Sequence, residues 1–414
     1  MKYLKRLIEY RLEKYLKIFG AVLVEGPRGC GKSTTCLKFS KSNILFNPLS
    51  AQNITEEKLS TFLTGTYPRL IDEWQLIPFA WDFAKNIIDK KNGKGLFIFC
   101  GSVIKEYDYK MHTGALRIGK LQMNTLTISE LEKSSKEVNF NLIFNNDYVI
   151  SGKKKISETE IAEIIIRGGW PSFINLSTIE INISLNSYIK SIVQQDFKQI
   201  LNSPSDERIK ALIISLARNI SCPVSNTLLM NESIIINSNQ TLQKYLDILQ
   251  RIFVINYLET WKLHVRSSVQ IRNSPKYYFI DPSIAAAALN IKNPETLIND
   301  KNTFGLFFEN LVIKELKTYA DLIDAEIYYF RDNTGFEIDC IMEFKDETWA
   351  AFEIKLGSEK GIVEGIKNLK SLKNKIEITK YMKCRGNFII TCAGKSYIKD
   401  GIKIISLNHL YFNP

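Results

Sequence analysis

The stretch Ala21-Val-Leu-Val-Glu-Gly-Pro-Arg-Gly-Cys-Gly-Lys-Ser-Thr34 decides the fold. An apolar strand runs into Gly26-x-x-x-x-Gly31-Lys32-Ser33, and a helical pattern, Thr34 to Ser40, follows. A glycine-rich loop between a strand and a helix is the context that a phosphate-binding loop requires. Gly26, Gly29 and Gly31 permit close approaches that a Cβ would block, so backbone N–H groups can turn inward at phosphate oxygens. The helix start adds the positive end of its dipole. Lys32 is placed to reach β- and γ-phosphates, and the Ser33 hydroxyl to ligate Mg²⁺. The expected nucleotide-binding set is Gly26, Pro27, Arg28, Gly29, Cys30, Gly31, Lys32, Ser33 and Thr34. The plain alternative is a glycine-rich turn with no ligand.

Outward from this loop, 414 residues are too many for one core and predict two or three domains. A 45% apolar, 24% charged composition is that of an ordinary globular protein. The net charge of +11 favours a polyanionic partner, or reflects a lysine-rich composition. Seven cysteines stand singly at 30, 36, 100, 222, 340, 384 and 392. With no CxxC pair they read as reduced thiols and exclude a zinc ribbon or disulfide framework. The histidines at 112, 264 and 409 are isolated, and no Ser-His-Asp or Cys-His constellation is evident. Residues 1–19 read as an amphipathic helix, not a signal peptide, and no apolar run reaches membrane-spanning length. The expected location is the cytoplasm, with no membrane partner.

In Tyr67-Pro-Arg-Leu-Ile-Asp72-Glu73-Trp74 a short strand ends in two adjacent acids. Asp72 would hold Mg²⁺ through water, and Glu73 would act as general base on the attacking water. Leu96-Phe-Ile-Phe-Cys100-Gly-Ser102 is a second buried strand, with Ser102 a candidate γ-phosphate sensor. Arg117 is either a γ-phosphate-sensing arginine, acting in its own chain or in a neighbouring one, or a plain surface residue. Alternating strands and helices over residues 1–155 predict an α/β domain with a parallel sheet covered by helices.

These residues resemble those of prokaryotic AAA-type ATPases fused to a C-terminal module of unknown function. The resemblance rests on the loop, Leu70-Ile-Asp-Glu73, Cys100-Gly-Ser102, Arg117-Ile-Gly-Lys-Leu121 and Leu126-Thr-Ile-Ser-Glu-Leu131. It extends to Gly168-Gly-Trp-Pro171, Tyr277-Tyr-Phe-Ile-Asp281 and Gly305-x-x-Phe-Glu-Asn310, and so covers nearly the whole chain. It implies ATP binding and hydrolysis.

Residues 137–156 read as an exposed hairpin or linker. Across 156–290, helical patterns at Asp206–Asn219, Ser225–Met230 and Thr241–Arg251 precede strands at Phe253–Thr260 and Lys276–Ile280. Three helices and a hairpin is a winged-helix order. Thr241–Arg251 would then be the recognition helix, presenting Gln243, Lys244 and Gln250, with Lys262, Arg266 and Arg272 on the wing. The alternative is a winged helix that packs between domains and touches no DNA.

Residues 291–414 hold an amphipathic helix, Phe304–Thr318, then strands with Glu337-Ile-Asp339 and Glu353-Ile-Lys355. A turn centred on Asp346 places 339 opposite 353 and 337 opposite 355, on one face. Opposed carboxylates about 5 Å apart repel unless a cation joins them. A second Mg²⁺ or a Mn²⁺ would suit the oxygen ligands Asp339 and Glu353, with Lys355 orienting water or stabilising charge. The pattern resembles the PD-(D/E)XK nuclease core, with Glu309 as a further metal ligand. An exposed sheet face with a Glu337–Lys355 ion pair is the plain alternative. Two functions follow from these residues. One is an ATPase coupled to DNA binding and metal-dependent DNA cleavage. The other is a nucleotide-dependent switch that binds a protein partner through a silent nuclease-like fold.

Overall fold

A computed structural model of the chain describes residues 3–47, 54–101, 116–197, 206–233, 236, 238–262, 274–375 and 383–413. Ser102, Arg266 and Arg272 lie outside the described residues. The chain divides into two compact units. One comprises Met1–Thr125 with Trp170–Ser172 and Arg251–Phe253, and the other comprises the rest.

The first unit is built on a five-stranded sheet of β1 (Ala21–Glu25), β2 (Ser42–Leu45), β3 (Arg69–Asp72), β4 (Phe97–Cys100) and β5 (Ile118–Gln122). All neighbours are parallel, in the order β2-β3-β4-β1-β5. Residue alternation along the strands sorts the core into two faces. Leu23, Ile71, Phe97 and Phe99 face one way, against Leu59, Leu63, Trp74, Trp81, Ala84 and Ile88. Val22, Val24, Leu70, Ile98 and Cys100 face the other, against Ile8, Leu12 and Cys36. A sheet buried on both faces needs near-continuous apolar strands, and Ala21-Val-Leu-Val and Phe97-Ile-Phe-Cys supply them. The predicted α/β parallel-sheet class is what the residues form. β4 lies between the strand that leads into the glycine loop and the strand that ends in the acid pair, so both strand ends open on one edge.

In the second unit, helices Asp206–Arg218, Asn226–Glu232 and Asn239–Arg251 precede an antiparallel hairpin of β7 (Ile255–Leu258) and β8 (Lys276–Phe279). A six-stranded sheet follows, from β9 (Glu326–Arg331), β10 (Glu337–Glu343), β11 (Trp349–Lys355), β12 (Cys384–Thr391), β13 (Tyr397–Lys399) and β14 (Ile402–Ser406). Its order is β13-β14-β12-β11-β10-β9. The helix Glu359–Lys375 covers one face through Ile366, Leu369 and Leu372, which pack on Ile338, Ile341, Ala351 and Ile389. The helix Lys301–Leu322 packs on β9, β10 and β11. Asp300 starts that helix by accepting the Asn302 and Thr303 N–H groups, and Phe304, Phe307, Phe308, Leu311, Val312 and Leu316 bury its apolar side.

Residues 137–156 are not the exposed linker that their Asn and Lys content predicts. Val138 and Asn139 form β6, paired in parallel with β15 (Leu410–Tyr411). Phe140 stacks on Tyr319 at 4.8 Å, and Phe144 sets its edge against Phe344 and Phe388. Buried apolar side chains at 138, 140, 143 and 150 outweigh the polar residues between them. The contacts therefore divide the chain at 125/126, not at 155, and residues 126–155 belong with the second unit.

Glu315 helps to hold that segment. Its carboxylate accepts the Ile128 N–H at 3.1 and 3.2 Å, while the neighbouring Lys314 donates to the Leu126 carbonyl at 2.8 Å. Burial pushes the Glu315 carboxyl up to about 7 against the opposing pull of Lys314 and the Ile128 N–H. The folded chain then keeps a proton that the unfolded chain releases above the ordinary value of 4.5. This contribution is complete below about 4.5 and is lost as pH rises to about 7. Denaturation midpoints measured at pH 5 and pH 7.5 should show a decline that is flattened in Glu315→Gln. An equal decline in the variant would contradict the assignment.

Candidate functional site

The glycine loop adopts the backbone conformations that a phosphate cradle needs. Gly29 and Gly31 have φ of +79° and +98°, conformations that side chains rarely adopt. Gly31 caps the helix Lys32–Phe39 with φ 98° and ψ 17°. At Gly26 the constraint is space, since a Cβ there would lie 2.1 Å from the Met123 carbonyl oxygen. Lys32 is 8% exposed, and its ammonium donates to the Gly26 and Pro27 carbonyls at 2.8 Å each, which holds the cation at the mouth of the loop.

Across from the loop, β3 ends at Asp72, a carboxylate buried to 7% exposure that accepts the Glu73 N–H at 3.0 Å. Glu73 sits at φ 53°, ψ 39°, a left-handed conformation uncommon for a non-glycine residue. Its carboxylate accepts a short hydrogen bond from the Gln75 amide. The Gln75 Oε1 is buried without a partner. Loop and acids meet in one cleft of about 550 Å³, a size typical of small-molecule sites. It is lined by Arg28, Gly29, Gly31, Lys32, Ser33, Thr34, Asp72, Glu73, Gln75, Cys100, Pro171 and Ser172. The Ser33 hydroxyl and Asp72 carboxylate are hard oxygen donors in this lining, a donor set suited to Mg²⁺. The Ser33 Oγ is 4.0 Å from the Cys100 Sγ. Beside Cys36 and buried, the Cys100 thiol is pushed far above its ordinary range, so it is a neutral wall of the cleft.

Arg117 is not in the lining. Its Nε is 2.6 Å from the Asp89 carboxylate, and both side chains are more than two-fifths exposed. It makes the surface ion pair of the plain alternative.

Five contributors were not legible as site residues. Pro171 and Ser172 line the cleft, and the Trp170 ring lies where a Cβ on Gly29 would be 3.7 Å away. In the sequence Gly168-Gly-Trp-Pro171 belongs to the family resemblance but carries no binding role. Gln75 follows the acid pair by two residues and carries no motif. Arg6 is buried, and its guanidinium donates to the Cys30 carbonyl at 2.6 Å and to Asn124 O at 2.7 Å. Nothing in its local sequence distinguishes it from the other basic residues of the first nineteen.

In the second unit, β10 and β11 pair with Cys340 opposite Phe352 and Glu343 opposite Trp349. This register places 339 opposite 353, as a turn at Asp346 predicts. In its pairing with β9, β10 shifts register between Ile338 and Ile341, across Asp339 and Cys340. Asp339 Oδ2 accepts the Ile354 N–H at 2.7 Å and is 3.8 Å from Lys355 Nζ. Lys355 Nζ is 2.6 Å from Glu353 Oε2, and Asn368 donates to Glu353 Oε1 at 3.3 Å. Burial, and next the Asp339 charge, push the Glu353 carboxyl well above the usual range. Glu337 meets Arg331 and Lys276 rather than Lys355. Glu309 accepts from Lys276 at 3.0 Å and from the Tyr278 hydroxyl at 2.8 Å. Burial pushes the Glu309 carboxyl up to about 7. Among the described residues no group of three or more His, Cys, Asp or Glu is placed to hold a metal ion. The expected ligand trio of Glu309, Asp339 and Glu353 is not gathered, because Lys276 and Tyr278 hold Glu309.

On the exposed side of the helix Asn239–Arg251 stand Gln243, Lys244 and Asp247, with Gln250 half-buried. Lys262 is exposed. No helix among the described residues is long and apolar enough to cross a membrane.

Residues 19–132 match the family described as an AAA domain. Residues 158–295 and 304–410 match two families described as domains of unknown function, DUF8612 and DUF4143. No curated protein matches the chain. Among solved structures the chain is similar to a Walker-type ATPase of Pyrococcus abyssi, at 14% identity over 69% of this chain and 96% of that one, with a TM-score of 0.42. It is also similar to a signal-transduction ATPase with a tetratricopeptide-repeat sensor from Pyrococcus horikoshii, at 14% identity over 78% and 50% of the two chains and a TM-score of 0.24. A DNA polymerase III gamma-subunit-related protein of Thermotoga maritima gives 10% identity over 59% and 99%, again with a TM-score of 0.24. The AAA match coincides with the parallel sheet and its glycine loop, so the first unit has an α/β fold that resembles that of P-loop ATPases.

Proposed function

We propose that the chain binds ATP with Mg²⁺ at the Gly26–Ser33 loop and hydrolyses it, and that this cycle governs what the second unit binds. The observation that carries the reading is one cleft lined by both Lys32 and Ser33 of the loop and Asp72 and Glu73 of the facing strand end. The loop N–H groups and the helix start bind the phosphates, and the Lys32 ammonium offsets their charge. Ser33 and Asp72 would hold Mg²⁺, which supplies further neutralising charge when bound. The Glu73 carboxylate, fixed by the Gln75 amide, would take the proton of the attacking water. Pro171 and Ser172 close the lining from a distant part of the chain.

Displacement of a fluorescent ATP analogue tests the binding half directly. Lys32→Ala should weaken Mg·ATP binding about a hundredfold, the loss of a buried charge-assisted phosphate contact. Unchanged affinity would overturn the assignment of the loop.

For the second unit, the switch that binds a protein partner is the better-supported of the two readings. In winged-helix order, Asn239–Arg251 would be the recognition helix. Its exposed side sets Asp247 beside Lys244, with the Gln243 amide bonded to Asp247 at 3.0 Å. Such a face offers phosphates little net positive charge. The carboxylates of the nuclease-like core are matched by the chain's own cations. Duplex-DNA binding that weakens steeply between 50 and 200 mM salt would favour the DNA-binding reading instead.

A further inference from the structure

We infer that Lys276 is the fixed cation of the carboxylate cluster in the nuclease-like core, taking the place that a divalent metal ion would otherwise fill. Glu309 and Glu337 meet the Lys276 ammonium, and Asp339 and Glu353, on β10 and β11, meet Lys355. Left unpaired in a buried setting, these carboxylates would repel one another strongly. A divalent cation is one remedy, and it must reach carboxylate oxygens at about 2.0–2.6 Å. The chain supplies another. Lys276 enters from β8, and its side chain is 2% exposed. Its ammonium lies 3.0 Å from Glu309 Oε1 and 2.5 Å from Glu337 Oε1.

Further partners stand around this cation. Tyr278 donates to the Glu309 oxygen that Lys276 also contacts. Arg331 stands 3.3 Å from Glu337 Oε2. Lys355 serves Glu353 and Asp339, and the Ile354 N–H donates to Asp339. Three cations therefore face four carboxylates. Lys276 is also held in place by its backbone, paired to Leu258 in the hairpin and bridged to Pro223. A dication brought to Glu309 or Glu337 must displace or approach a fixed ammonium, and that repulsion opposes binding. This goes beyond the ATPase reading, because it names the residue that silences the second unit's carboxylates and does not depend on the first unit turning over ATP.

Mn²⁺ titration of the full chain without nucleotide, followed by the loss of the free-ion electron paramagnetic resonance signal, tests the inference. Wild type and Asp339→Asn should bind Mn²⁺ alike. Lys276→Met should gain one site, at least tenfold tighter than any in wild type, and Glu309→Gln added to it should remove that site. A wild-type site abolished by Asp339→Asn would overturn the inference. So would a folded Lys276→Met variant, with native circular dichroism, that gains none. Where Lys276→Met fails to fold, the comparison of wild type with Asp339→Asn decides alone. ATP turnover is measured separately, so its failure leaves this result standing.

Discussion

Glu73→Gln should bind Mg·ATP with nearly wild-type affinity and hydrolyse it about a hundred- to ten-thousandfold more slowly, the range of a lost general base. Three features single out Glu73. It follows Asp72 at the end of β3, lines the cleft with Lys32 and Ser33, and occupies a left-handed conformation that an unconstrained glutamate avoids. The Gln75 amide bonded to its carboxylate fixes the side chain's direction. Glutamine keeps the size of the side chain and removes its basicity, so binding and turnover should separate. Quenched-flow measurement of bound ATP and released phosphate reads both. Parallel loss of both quantities would make Glu73 a structural residue; wild-type turnover would remove it from the chemistry.

Gly26→Ala should cost the site its nucleotide, with affinity reduced about a hundredfold or more. An added Cβ would lie 2.1 Å from the Met123 carbonyl oxygen, and a backbone atom cannot swing aside as a flexible side chain does. Met123 is itself pinned, because its N–H donates to the Glu25 carbonyl at 2.7 Å. The loop must therefore move away from β5, carrying the carbonyl on which Lys32 rests. Overpacking of this kind costs about 1–3 kcal/mol of stability as well. Isothermal titration with Mg·ATP, alongside a thermal melt, separates loss of binding from loss of fold. A folded variant with unchanged affinity would contradict the packing argument. Gly305→Ala is the matched control, since a Cβ there meets nothing within 4 Å.

What the sequence made legible follows from how local each signal is. The glycine loop is read from eight consecutive residues, and it folds as read because strand, glycines and helix start are adjacent in the chain. The acid pair needs only a short strand before it. The pairing of 339 with 353 was legible because Asp346 marks the turn, accepting the Thr348 N–H at 3.2 Å, and a turn centre fixes every pair on its two strands. Partners that arrive from far along the chain left no such mark. Lys276 stands 33 residues before Glu309, and its neighbours read simply as a strand. Pro171 and Ser172 come from beyond the β5 region to line the loop's cleft. Within its own chain Arg117 turns to Asp89 and away from the cleft, a direction that one-dimensional spacing does not encode. In residues 137–156 the buried Val138, Phe140, Ile143 and Ile150 decide the packing, although polar residues dominate the composition.

The most direct test of the central claim is single-turnover phosphate release by the purified chain, with ATP limiting and Mg²⁺ either present or chelated. Cleft geometry and the acid pair predict one phosphate released per ATP bound, dependent on Mg²⁺. Tight Mg·ATP binding with the nucleotide recovered intact after many hours would contradict it.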